Sequence, residues 1–279
     1  MSPRHTPWAE ARDFSIGLRP ITPEAWLEGG EADPSARKDA LLAAHGDLVW
    51  GETDGSRPGQ AEAAGLVAEA LGRDWRPVTD RDDPPLLAAA RQVADDLILM
   101  EKRDGAWRLT ALSLCAPTFF TAPEVLGKSL AELHGPVNGF AERFLARVER
   151  IFEGLRPDLI LERRNWTVVN SGDSFTPFSA PVRARVGEIT PQTAGQALYT
   201  RVERQTLRRL PDTGGALFTI RIWLDPLERV AETPESLAAF AQAWREAPEP
   251  FRAYKGFSLY APLVEAFLRA QGETHSVNV

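Results

Sequence analysis

One cysteine, Cys115, stands in a chain of 279 residues. No disulfide can therefore form within the chain, and a cysteine-rich zinc site or an iron–sulfur cluster held by this chain alone is excluded. Histidine is almost as scarce. The four are His5, His45, His134 and His275, too widely spaced for a local His-rich metal motif. Positive charge is in deficit, with 32 Lys and Arg against 39 Asp and Glu and a formal charge of −7. The chain as a whole offers no attraction for a phosphate backbone, so no nucleic-acid partner is expected. No stretch approaches the roughly 18–20 apolar residues of a membrane span, and the opening MSPRHTPWAEARDF lacks the apolar core of a signal peptide. A cytoplasmic, reducing location without membrane association is expected, and the sequon Asn165-Trp166-Thr167 is read as chance.

What is present describes an ordinary globular protein: 43% apolar, 25% charged and 9% aromatic residues. The length gives one large domain or two modest ones with a core that needs no covalent staple. Three stretches are expected. Residues 1–80 form a helical, loop-rich extension, in which Thr22-Pro23-Glu24 reads as a helix start ahead of Trp26 and Leu27. The polar GETDGSRPG of 51–59 reads as a loop between two Ala-rich helices. Stacked charges and prolines in TDRDDPP mark the first boundary, and residues 81–230 form the central domain. There DLILMEK and WRLTALSLCAP flank an Arg103-Asp104-Gly105 turn, with Trp107, Leu109, Ala111, Ser113 and Cys115 alternating against the rest. One helix is expected over 123–134. An amphipathic helix follows, with Phe140, Phe144, Val148, Ile151, Phe152 and Leu155 on one stripe. Strands are expected at 162–170, 199–210 and 216–224, the last two joined by Pro211-Asp212-Thr213-Gly214-Gly215. The economical arrangement is α+β, one five-stranded antiparallel sheet with helices on one face. Residues 231–279 form C-terminal helices, the first capped by Thr233 with Leu237, Phe240 and Trp244 on its apolar face.

Familiar motifs are missing. Gly127-Lys128-Ser129 resembles the end of a phosphate-binding loop, but that motif needs glycine where Ala122 stands. No G-x-G-x-x-G, H-E-x-x-H or G-x-S-x-G occurs. Three local features carry chemistry. In YTRVERQTLRR, Tyr199, Arg201, Glu203 and Gln205 face one way and Thr200, Val202, Arg204, Thr206 and Arg208 the other. Neither set is a normal core face, so the strand is either a solvated edge or a polar wall facing a ligand or ion pairs. His134, beside Leu130 and Leu133, is either a satisfied, partly buried residue or a ligand; a haem needs only one protein imidazole, an apolar pocket and cations for its propionates. Arg163-Arg164-Asn165-Trp166 sets two guanidinium groups beside an indole able to line a flat ligand.

The runs TRVERQTLRRLPDTGGALFTIR, ERRNW, LGKSLAELHGPV and GLRPITPEAWLE, taken together, resemble the alpha, haem-binding subunit of the haem-dependent oxidative N-demethylase family. The resemblance implies a PAS-like five-stranded antiparallel sheet with helices on one face and a non-covalent haem b in its pocket. It implies oxidation of a secondary methylamine, of the dimethylamine type, by dioxygen to a primary amine and formaldehyde, which tetrahydrofolate captures. Electrons would come from a separate NADPH, flavin and iron–sulfur reductase, in keeping with the single cysteine. On this reading His134 is the axial iron ligand. Glu203 binds the alkylammonium, with Arg201 and Arg204 pairing it or the propionates, while Arg163, Arg164 and Trp166 serve the haem. The sequence departs from the family's H-x-P-V-P motif at Asn138, and from its Pro-Ser-x-Trp turn at Ala116-Pro117-Thr118-Phe119-Phe120; both changes bear on substrate identity. A PAS-like sensor or small-ligand-binding protein is the alternative, although no output domain or coiled-coil linker is evident.

Overall fold

A computed structural model describes residues 3, 5–10, 17–29, 34–72, 82–134 and 141–277, with side chains described except at 134, 141–144 and 273–277. Helices α1 (Pro7–Glu10), α2 (Pro34–Val49), α3 (Arg57–Ala70) and α4 (Pro85–Ala90) share the first part of the chain with short strands β1 (Arg19–Ile21) and β2 (Trp50–Glu52). The hairpin β3 (Asp96–Arg103) and β4 (Ala106–Ser113) follows, then α5 (Ala122–Val125), α6 (Leu130–His134) and α7 (Ala141–Glu153). Next come β5 (Ile160–Val169), α8 (Ser179–Ala184), α9 (Ala194–Ala197), β6 (Tyr199–Arg209) and β7 (Ala216–Pro226). The chain closes on α10 (Pro234–Glu246), α11 (Glu249–Lys255) and α12 (Phe257–Val277). Among the described residues no helix is long and apolar enough to cross a membrane.

The α+β class holds, but among the described residues the sheet has seven strands rather than five, in the order β1-β5-β6-β7-β3-β4-β2. The five expected strands form its centre. The two additional ones are three-residue edge strands, β1 pairing with β5 and β2 with β4, both antiparallel. Three residues are too few to show a period of two, so pattern reading places such segments in loops.

Contacts divide the chain into two units, one of 1–17, 164–204 and 222–279, the other of 18–163 and 205–221. Strands β5, β6 and β7 contribute residues to both. In the second unit the expected turn forms with Asp104 and Gly105 at φ 52° and 78°, the left-handed pair that a tight hairpin demands. Strict alternation fails on β4. Leu99 pairs with Ala111 but Met100 with Leu109, so Thr110 is an extra, bulged residue that reverses the facing of everything after it. Trp107, Leu109, Leu112 and Leu114 consequently join one apolar cluster, while Ala111 joins the other.

Those two clusters also correct the expectation of helices on one face. Leu97 and Leu99 pack with Ala63, Ala64 and Val67 of α3 and Leu86, Ala89 and Ala90 of α4. Ile98 and Met100, on the opposite face of the same strand, pack with Leu130 of α6 and Phe152 of α7. Helices therefore cover both faces of the sheet in this unit, which is why β3 is apolar at consecutive positions instead of alternate ones. The start at Thr22 yields only a 3-10 turn over Pro23–Ala25, yet Trp26 is fully buried and donates its indole N–H to Thr206 Oγ1 at 2.9 Å. On the stripe expected for α7, Phe152 and Leu155 are buried and Val148 and Ile151 pack beside them. Phe140 and the Phe144 side chain lie outside the described residues.

The first unit is organised by aromatic packing. Trp8, Trp166, Phe240, Trp244 and Phe257 share one cluster, with Trp244 and Phe257 stacked at 4.1 Å and Trp8 edge-on to Trp166 at 5.7 Å. As expected, Thr233 caps α10: its hydroxyl accepts the Ser236 N–H at 3.2 Å. Leu237, Phe240 and Trp244 form the buried stripe.

Candidate functional site

The charged strand is not a solvated edge. β6 sits inside the sheet between β5 and β7, and Arg201 and Arg204 are each only 1% exposed. A guanidinium keeps its charge at any working pH, so burying one costs several kcal/mol, on the order of the general ion-burial penalty, unless acceptors surround it. Both terminal nitrogens of Arg201 donate to the Ser174 carbonyl at 3.4 Å. Glu203, two residues along the same face, accepts from Asn165 Nδ2 of β5 at 3.4 Å. Sequence reasoning missed the partners Asn165 and Ser174, because pairing across a strand and return of a loop are not written in local spacing. Gly172 permits the close packing of the loop, since a Cβ there would come 2.9 Å from the Tyr199 ring.

The helix that carries His134 is built locally. Ser129 N–H and Oγ–H both donate to Glu132 Oε2, at 2.8 and 2.7 Å, and Glu132 N–H returns to Ser129 Oγ at 3.3 Å. This reciprocal capping box starts α6. Accepting those bonds holds the Glu132 carboxyl below its ordinary range, with the Arg108 guanidinium adding to the effect. The segment ahead of it is tied to β4, Leu109 N–H donating to Lys128 O and Gly127 N–H to Leu109 O. The single helix expected over 123–134 is thus two, α5 and α6. Gly127, at φ 77°, breaks it where the chain turns to pair with β4. Leu130 is buried in the apolar cluster, with Leu133 packed against it. His134 is the last residue of α6; its side chain lies outside the described residues.

The ERRN segment distributes its groups differently along β5. Arg163 is half-buried. Arg164 reaches Glu10 at 3.4 Å. Trp166 lies in the aromatic cluster of the first unit, its ring 5.4 Å from Phe257 and 5.7 Å from Phe240. Arg201, Glu203, Arg204, Arg164 and Trp166 all belong to the first unit, whereas His134 and Arg163 belong to the second.

A second charged cluster escaped sequence reading altogether. Lys38, Asp96 and Cys115 are fully buried in the second unit. Lys38 Nζ donates to Asp95 O at 2.6 Å, and the Asp96 carboxylate accepts the N–H groups of Cys115 and Ala116 at 2.7 and 2.8 Å. Burial lowers the Lys38 pKa and raises that of Asp96, while their mutual attraction opposes both shifts. Burial, with the Asp96 charge, pushes the Cys115 thiol up to about 11. The cluster fastens α2 to the end of the β3–β4 hairpin. Nothing in the spacing of Lys38 among the residues of α2 marks it as buried.

A family model, haem-dependent oxidative N-demethylase, alpha subunit-like, matches residues 58–264. The chain belongs to this family. The matched span contains α6 with His134, the ERRNW segment and the whole of β6. For a haem, the family's named cofactor, the donor set required is one imidazole, apolar walls and cations for two propionates. Residues of these kinds are present: in the second unit His134 ends a capped helix with Leu130 and Leu133 before it, and in the first unit β6 carries buried guanidinium groups. In chemical type they are donors that the group takes.

Proposed function

We propose that this chain is the haem b-binding subunit of an oxidative N-demethylase acting on a secondary methylamine of the dimethylamine type. The family match over 58–264 carries this reading. Dioxygen, two electrons and two protons convert the amine to a primary amine, formaldehyde and water. The electrons come from a separate NADPH, flavin and iron–sulfur reductase. When bound, the haem supplies the iron at which dioxygen is reduced. His134 holds that iron from the end of α6, and the capping box of Ser129 and Glu132 fixes the helix on which the imidazole is carried. Arg201 and Arg204 hold propionates, with Arg163 and Arg164 as further cations. Glu203 binds the alkylammonium as its countercharge, oriented by Asn165; a buried cation requires such an anion. The reading is supported by the burial of both β6 arginines and by the position of Glu203 two residues from Arg201 on the same face of the strand, Arg204 lying on the other face.

Reconstitution with haem followed by absorption spectroscopy tests the ligand. His134→Ala is expected to shift the Soret band and lower haem stoichiometry; an unchanged spectrum refutes the assignment. Glu203→Gln is expected to raise the KM for dimethylamine by about tenfold or more, from loss of a charge-assisted contact, with haem content retained. An unchanged KM removes that role.

A further inference from the structure

Helices α11 and α12 of the first unit line a groove of about 630 Å³. Gly256, at φ 66°, ends α11 in the left-handed conformation and passes the chain directly into α12. Ala253 lies on one wall and Ser258, Ala261 and Pro262 on the other. Side chains this short let a further helix come close, because the side chains at a contact set the distance between helix axes.

Four charged side chains complete the lining, Glu249 and Arg252 from α11 and Glu265 and Arg269 from α12. The groove is therefore neutral as a whole, with both signs on each wall. Two of the four are already engaged. Arg252 donates to Trp244 O at 2.7 Å and packs over the Trp244 and Phe257 rings. Glu265 is held by Arg245 of α10 at 2.9 Å. It stands one helical turn before Arg269, at the spacing where a glutamate and an arginine pair along a helix, but α10 has drawn it away. Arg269 is exposed, and among the described residues its side chain makes no ion pair. Glu249 is nearly as free, since its side chain is 85% exposed and its pair with Arg252 is 4.0 Å long; an exposed pair of that length contributes little.

The two uncommitted charges are thus of opposite sign, one on each wall. A twofold axis satisfies that pattern. In an isologous contact one patch faces itself, so residue i of one copy meets residue j of the other and j meets i; one carboxylate and one guanidinium then make two ion pairs. A partner surface of a single sign would set like charges together on one wall or the other, which is unfavourable.

We propose that this groove is a self-association surface, in which α12 of a second copy packs across a twofold axis and Arg269 of each copy pairs with Glu249 of the other. Ser258, Ala261 and Pro262 supply the close approach at its centre. A contact of a few helical turns is small beside the roughly 1,200–2,000 Å² of a stable complex, so the dimer forms at micromolar concentration. It requires neither haem nor the amine.

The test is sedimentation velocity of the full chain at about 1–200 µM, in low salt where exposed charges are least screened. The expected result is a concentration-dependent dimer that weakens as salt is added. Arg269→Glu and Glu249→Arg each set like charges together at both pairs and are each expected to weaken association at least ~10-fold. Both side chains are exposed, so circular dichroism should be unchanged. The double reversal, Arg269→Glu with Glu249→Arg, is expected to restore the dimer, because each pair is remade with its signs exchanged. A monomer at every concentration overturns the proposal. So does a dimer indifferent to the single reversals, which would associate through another surface, or one that the double reversal fails to restore.

Discussion

Replacing Lys38 with methionine keeps the volume of the side chain and removes its charge, which isolates the buried cluster from mere packing. Lys38 and Asp96 are both 0% exposed. Removing one partner of such a pair leaves an uncompensated ion and typically costs about 3–5 kcal/mol, whereas removing both costs far less. Lys38→Met is therefore expected to lower unfolding free energy by about 3–5 kcal/mol, and Lys38→Met with Asp96→Asn by clearly less than the sum of the singles. Urea denaturation of the four proteins at pH 7 measures the coupling. The pH dependence carries the sign. Asp96 is raised by burial and pulled down by Lys38, so without the ammonium its folded pKa climbs further above the unfolded value. Such a group binds a proton in the fold before it does in the unfolded chain, and its contribution is lost as pH rises through the folded pKa. The deficit of Lys38→Met should accordingly shrink toward acid pH. Additive single effects, or a deficit independent of pH, refute the reasoning.

Cys115 offers a second titration. With the thiol pushed up to about 11 in the fold and near 8.5–9 when unfolded, its contribution is complete below about pH 9 and declines as pH rises toward 11, by about 3 kcal/mol at ~1.4 per pH unit. Cys115→Ala should lack that part of the slope in denaturation across this range, and native protein at pH 8 should resist a thiol-reactive disulfide reagent that labels it once unfolded. Loss of the cap in Ser129→Ala should cost about 1 kcal/mol and lower haem retention; a retention unchanged in the face of that destabilisation would show that α6 does not carry the ligand.

The central five strands and their hairpins were legible because each is long enough to show its period and is bounded by Gly, Pro or Asp turns; Asp104-Gly105 announces its hairpin by chemistry alone. The edge strands at Arg19–Ile21 and Trp50–Glu52 were not legible, since their pairing is decided by partners far along the chain. Thr110 shows the same limit: nothing local says that it is the residue left over when β3 and β4 pair, yet it determines which face Leu112 and Leu114 occupy.

By itself the sequence determined that these residues cannot alone hold a cysteine-ligated iron–sulfur cluster, that Thr233 caps a helix, and that Arg201, Glu203 and Arg204 share a strand too polar for an ordinary core. Only the tertiary structure decided that this strand is interior and that its arginines are buried, because burial depends on which strands flank it and not on its own residues. It also decided that Lys38 is buried against the Asp95 carbonyl, within the attraction of Asp96, at the start of the hairpin, and that Tyr254 and Leu259 remain exposed. Charges and apolar groups are fixed by the chain, but whether each is covered depends on what folding brings against it.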